Sequence, residues 1–261
     1  IRRRLPMAEP DRRKTMYKPH RAFNAPADPK AKIWHYMDIT KFLSLIMTRQ
    51  LFFGRLDRTS DPLDGSVAKM NLRQRDQLYK DLPASEIESA VRFRAQLRKH
   101  MVIHCWHLNE VESAAMWKLY LKSDEGVAIQ STFTRLCDSF RDVKEHDVHV
   151  GSIRYIDFDR EFMPEDDVFS PVVHKRKSFA YEQEVRAVIA KLPATQTDDD
   201  RQAPPFKTGL AVPVDITRLI EKVYVSPSSQ RWVADLIRTL VQKFEANVPV
   251  VHSALGDDPV F

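Results

Sequence analysis

Glycine is scarce in this chain, six among 261 residues, and that scarcity excludes more than any motif asserts. There is no Gly-x-Gly-x-x-Gly fingerprint and no Walker loop, so the sequence offers no glycine-rich cradle for phosphates. His-Glu-x-x-His and the Gly-x-Ser-x-Gly nucleophile elbow are also missing. The two cysteines, Cys105 and Cys137, make neither a disulfide framework nor a zinc pattern, which points to a reducing, cytoplasmic setting. No apolar run approaches the length of a membrane span, and the first residues show no signal-peptide pattern. No membrane partner is expected.

What is present is ordinary for a globular protein, with 43% hydrophobic and 30% charged residues. The length suffices for a full core. The net charge of +5 is unevenly placed: residues 1–32 carry ten Lys or Arg against three Asp or Glu, and the remainder is slightly acidic. Residues 1–31, with Pro6, Pro10, Pro19, Pro26 and Pro29, read as a basic, proline-rich, flexible segment. Such a segment suits either a solvated leader or a contact with nucleic acid.

Residues 32–261 read as a single α+β domain. Strands are expected at 33–37, 51–53, 101–107, 127–130, 148–158, 223–225 and 248–251, by β-branched and aromatic content. Helices are expected after Asp38 as a cap, over 67–82, after a Ser85-x-x-Glu88 capping box, over 112–121, and from Ser228. In the last of these, Trp232, Leu236, Leu240 and Phe244 recur every fourth residue. Asp57 to Gly65 is dense in turn formers, and 192–209 reads as a long surface loop. The elements interleave without a βαβ rhythm, which favours a mixed, largely antiparallel sheet flanked by helices.

The most informative stretch runs from Lys177 to Ala190. As a strand it would turn Glu182, Glu184 and Arg186 to one face and Val185, Ala187 and Ile189 to the other. That face is either a solvated sheet surface with an ion pair or the acidic floor of a site. Three further features invite a function. His35 lies mid-strand between Trp34 and Tyr36, Ser131-Thr132 follows a short buried strand, and His104-Cys-Trp-His107 pairs two imidazoles. Residues three apart on a strand face opposite ways, so His104 and His107 would not share a metal. Turn chemistry accounts for Asp57, Asp61 and Asp64, and no metal site is expected.

Jointly, Trp34-His-Tyr36, Leu51-Phe-Phe53, Asp61-Pro62, Cys105-Trp-His107, Glu112-Ser113, Met116-Trp117, Tyr120, Gly126-Val-Ala-Ile129 and Tyr181-Glu-x-Glu-x-Arg186 resemble a prokaryotic domain-of-unknown-function family. The resemblance spans about residues 33 to 255 and implies no activity. A more distant likeness is to ADP-ribosyltransferases, whose early strand carries a His or Arg, middle strand a Ser-Thr-Ser or an aromatic residue, and late strand a Glu, often within Glu-x-Glu or Gln-x-Glu. Here His35, Ser131-Thr132 and Glu182-x-Glu184 occur in that order, with Phe133 in place of the third middle residue.

That resemblance implies a split sheet and an NAD-dependent ADP-ribosyltransferase-like or NAD-hydrolysing enzyme, of the kind found among toxins and anti-phage effectors. By carry-over, Glu184 is the catalytic carboxylate, Glu182 orients the acceptor and His35 holds the ribose. Tyr36 or Tyr120 stacks on nicotinamide, and Ser131, Thr132 and Arg186 complete the binding set. NAD is the implied substrate, with a protein or nucleic acid as acceptor. A different class of reading is a nucleic-acid-binding protein or nuclease that uses the basic segment, Lys175 to Lys177, Trp34 and Trp117 to grip a strand. A third is a non-enzymatic interaction module with an ordinary wet sheet face.

Overall fold

The computed structural model describes residues 16–81, 83–140, 146–192, 204–257 and 259. The first strand, β1 (Lys32–Asp38), runs straight into α1 (Ile39–Thr48), which buries Phe42, Leu45 and Ile46 on one face. Asp38 stands at the N-cap position, but its carboxylate does not cap the helix; it accepts the Lys122 N–H at 3.2 Å instead. Helix α1 ends on Arg49 in the left-handed region and turns into β2 (Gln50–Arg55).

Helices α2 (Lys69–Leu78) and α3 (Ala84–Leu97) follow. The expected capping box is not formed: Pro83 starts α3, so Ser85 already lies inside the helix. Strand β3 (Met101–Leu108) leads to α4 (Ala114–Tyr120), capped by the Ser113 hydroxyl. Helix α4 buries Met116 and Trp117 and leaves Leu119 and Tyr120 exposed.

Beyond come β4 (Gly126–Thr132), α5 (Phe133–Ser139), β5 (His149–Ser152), β6 (Arg154–Ile156), α6 (Ser170–Val173), β7 (His174–Arg176) and β8 (Glu184–Ala190). The chain closes with β9 (Gly209–Pro213), α7 (Ile216–Leu219), β10 (Lys222–Val225), α8 (Arg231–Lys243) and β11 (Val250–His252). In α8 the buried stripe is Val233, Ala234, Ile237 and Val241, while Trp232 and Leu236 face outward.

Among the described residues nine strands make one mixed sheet, antiparallel except for β10 with β11. The expected α+β class, with a largely antiparallel sheet flanked by helices, is what the chain adopts. Its centre is β3, fully paired on one edge with β8 from Met101↔Ala190 to His107↔Glu184. A strand has only two edges. Two strands therefore share the other: β2 pairs with Val102 and Ile103, and β1 with His107 and Leu108. Between those contacts β1 peels away to pair along its length with β4. The sheet thus forks beside His104, Cys105 and Trp106.

The stretch from Lys177 to Ala190 is not one strand. Residues Lys177–Glu182 form a 3-10 turn, Gln183 adopts a left-handed φ of 40°, and only Glu184 onward extends. The physical limit is the partner. Strand β3 ends at Leu108, whose N–H meets the Gln183 carbonyl at 2.8 Å, so residues upstream have no ladder to join. Neither is this face wet, since Glu184 and Arg186 are 4% and 0% exposed.

The described part of the basic segment is packed. Met16 and Phe23 are buried, and backbone bonds tie Met16 and Lys18 to Val148 and Ser152 to Asn24. Residues 1–15 and most of the expected 192–209 loop lie outside the described residues.

Gly65, with φ of 73°, closes the turn that carries Asp61 and Asp64, and a Cβ there would sit 2.5 Å from a methyl of buried Leu56. Gly65→Ala should therefore cost about 1–3 kcal/mol, combining left-handed strain with crowding. Urea unfolding of the variant checks this, and an unchanged midpoint would contradict it.

Candidate active site

The fork opens into a cavity of about 400 Å3, within the range of small-molecule sites, roughly 300–1,000 Å3. His35, Tyr36, Tyr120, Glu182 and Glu184 all line it, although they come from four separate segments of the chain. The structure therefore brings together five of the eight residues singled out in the sequence.

His35 stands where β1 leaves β3. Its Nδ1–H donates to the Cys105 carbonyl at 3.0 Å, a backbone group beside the fork. That bond fixes the neutral tautomer and leaves Nε2 as an acceptor. Burial is the main reason that its pKa falls to about 4, with the Lys41 ammonium pushing the same way and the Cys105 carbonyl opposing. The imidazole is uncharged at neutral pH.

The opposite wall is a buried charge cluster. Arg186 on β8 uses all five N–H groups: Nε and Nη2 grip Glu184 at 2.5 and 3.0 Å, and Nη1 and Nη2 grip Asp64 at 2.9 and 3.0 Å. Its Nη1 also donates to the Val172 carbonyl at 2.9 Å. Lys175 on β7 bridges the two glutamates, contacting Glu182 closely and Glu184 at 3.3 Å.

Three carboxylates (Asp64, Glu182, Glu184) thus face two cations (Lys175, Arg186), a net of one negative charge when all are ionised. Burial works against the charge on Glu184, but Arg186 and Lys175 overcome it and hold the pKa at about 2. For Glu182 burial wins over Lys175, and its pKa is raised. Neighbouring carboxylates with divergent pKa values are a pattern associated with divided acid–base roles.

Several polar atoms on the cavity walls have no hydrogen-bond partner among the described residues. They are His104 Nδ1, Trp106 Nε1 and His107 Nε2, on residues at most 8% exposed. His107 Nδ1 donates to the Glu182 carbonyl at 2.6 Å, so its Nε2 is a bare acceptor. Buried polar atoms are normally satisfied, and a polar ligand in the cavity would satisfy these. His104 packs against His35, ring centroids 4.4 Å apart, and turns away from His107 as alternation requires. Among the described residues no group of three or more His, Cys, Asp or Glu is arranged to hold a metal ion.

Three expected binding residues are placed elsewhere. Ser131 is fully buried and donates to the Leu219 carbonyl at 2.5 Å, and Thr132 caps α5 by accepting the Arg135 N–H at 3.2 Å. Arg186 is wholly enclosed with every donor engaged, so it supports Glu184 and has no hydrogen left for a ligand. Sequence reasoning missed Asp64, read as turn chemistry, and Lys175, read as part of a basic run that could grip a nucleic-acid strand. Asp64 and Arg186 lie 122 residues apart, and no local spacing could have paired them.

The charge state of the walls makes stability pH-dependent. His35 and Glu184 both have depressed folded pKa values, from 6.5 to about 4 and from 4.5 to about 2. Each contributes stability that is complete above its unfolded pKa and lost as pH falls through the folded one. Urea midpoints should therefore decline first between pH 6.5 and 4, and again from 4.5 towards 2. Burial also lowers the pKa of His104 and His174, so His35→Gln should make the first decline shallower without abolishing it; an identical profile would remove His35 as a source.

A scan against protein-family models finds no match, and a search of curated proteins finds none either. Among solved structures the chain is similar to Thermus sp. 2.9 DarT in complex with ADP-ribosylated ssDNA, at 10% identity and a TM-score of 0.39, covering 88% of this chain and 96% of that one. It is similar to the same protein in complex with NAD+, at 11% identity and 0.39, covering 88% and 98%. The complex with carba-NAD+ gives 11% and 0.38, covering 87% and 96%. At these values the function has to be argued from the cleft itself.

Proposed function

We propose that the forked cleft cleaves the nicotinamide–ribose bond of NAD and passes ADP-ribose to an acceptor or to water. The observation that carries this reading is the convergence of a neutral imidazole, His35, with two buried carboxylates of divergent pKa, Glu182 and Glu184, on one cavity of about 400 Å3.

The chemistry needs no metal. As the C1′–N1 bond breaks, its electron pair leaves with nicotinamide and neutralises the pyridinium charge. Positive charge then develops on the ribose ring as an oxocarbenium ion. Glu184, ionised at any physiological pH, stabilises that charge in a site screened from water. Arg186 does not cancel it, because its guanidinium is shared with Asp64 and the cluster keeps a net negative charge. The oxygen or nitrogen of the acceptor attacks C1′ and gives up a proton, which Glu182 is suited to take because burial raises its basicity. His35 Nε2 accepts a hydrogen bond from a ribose hydroxyl. Tyr36 and Tyr120 give the walls aromatic surface for the nicotinamide ring.

The nucleic-acid-gripping alternative loses most of its instruments. Trp34 and Trp117 are 2% and 3% exposed and cannot stack on bases. Lys175 is held by the two glutamates, Arg176 by Asp61, and Lys177 by Glu161. A nucleic acid remains an acceptor class beside proteins and water, and a toxin or anti-phage role would follow from transfer to a macromolecule.

Incubation with NAD should release nicotinamide. Glu184→Gln, with folding verified by circular dichroism, should slow release by about 100-fold or more. Glu182→Gln should impair transfer to the acceptor more than it impairs NAD binding, and His35→Ala should raise KM for NAD. Release at the wild-type rate in Glu184→Gln would sink the proposal.

A further inference from the structure

A second cavity, of about 250 Å3, lies between α2, α3 and residues 168–172 and shares no lining residue with the fork. Its floor is hydrocarbon, with Leu56, Leu97, Met101 and Val172 all at most 6% exposed. Three arginines, Arg75, Arg94 and Arg98, stand on its walls, and no carboxylate does among the described residues.

Among the described residues, only one of the three side chains has a partner. Arg94 binds Glu165, which also accepts from Asn71 at 2.7 Å and Tyr79 at 3.3 Å. The side chains of Arg75 and Arg98 form no hydrogen bond or ion pair with any described residue, and the Nε of each is buried without an acceptor. The carboxylate that Arg98 feels, Asp57, is gripped by Arg55 at 2.7 and 2.8 Å. Two positive charges on an apolar hollow are unfavourable unless an anion meets them.

We infer that this cavity binds a small amphipathic anion, a carboxylate- or phosphate-headed molecule with a short apolar body. Arg75 and Arg98 hold the head in charge-assisted hydrogen bonds, and the aliphatic floor takes the tail. The volume equals that of roughly eight waters at ~30 Å3 each, which limits the buried apolar body to about eight non-hydrogen atoms, with the head group outside it at the arginines.

Calorimetric titration of the full chain with octanoate, octyl phosphate, octanol and inorganic phosphate tests this. Octanoate or octyl phosphate should bind one to one, the tighter of the two naming the head group. Octanol and inorganic phosphate should each bind about tenfold more weakly or worse. The double variant Arg75→Gln/Arg98→Gln should weaken binding of the anions by about tenfold or more. Ala95→Trp, which fills the hollow and keeps both arginines in the chain, should abolish it. Arg92→Gln, an exposed cation on the same helix, should leave it unchanged. Saturable binding by neither anion, equal binding of octanol, equal binding of inorganic phosphate, or wild-type binding by the folded double variant or by Ala95→Trp would each overturn the inference.

Discussion

A single guanidinium, enclosed completely and gripped from two sides by carboxylates, is the interaction on which the rest of this molecule depends. Removing a cation of this size from water costs several kcal/mol, and only saturated hydrogen bonding offsets it. Arg186 meets that condition because its planar fork offers five hydrogens in fixed directions, and Glu184, Asp64 and the Val172 carbonyl accept all of them. Lysine could not meet two carboxylates bidentately. The turn from Asp61 to Gly65 and helix α6 are consequently tied to β8, and the cluster acts as an internal strut beside the cleft.

The strut also sets the chemistry of the cavity. A carboxylate buried alone would take up a proton. Glu184 stays ionised because Arg186 and Lys175 favour its charge, while Glu182, at the end of a 3-10 turn, is pushed the other way by burial that Lys175 offsets only in part. Two acids separated by one residue therefore have different environments. The left-handed Gln183 between them is the backbone device that takes Glu182 off the strand and still leaves it on the same cavity.

The opening itself follows from pairing arithmetic. With β8 along one whole edge of β3, strands β1 and β2 compete for the other, and both run antiparallel to it. They meet β3 at its two ends and diverge between, and His35 crosses the gap to the Cys105 carbonyl. Helix α1, which joins β1 to β2, keeps the two arms apart with the buried face of Phe42, Leu45 and Ile46. The same divergence leaves Trp106 and His104 with polar atoms turned to a cavity instead of to a neighbouring strand.

Much of the framework was legible in the chain. β-branched and aromatic content located β1, β3 and β4, and helical spacing located α8, although its buried stripe is Val233, Ala234, Ile237 and Val241 and not the one through Trp232 and Leu236. The order His35, then Glu182 and Glu184, was visible as well, and so was the opposite orientation of His104 and His107. The register at which one strand ends, the partner of Arg186 and the protonation of the two glutamates were not. Those depend on Leu108, Asp64 and Lys175, residues that nothing in local spacing links to the site. Sequence by itself determined which residue types were on hand and which faces could be buried. Tertiary structure alone decided which charges met, because the pKa of a buried acid is set by the cations folded against it and by the water folded away.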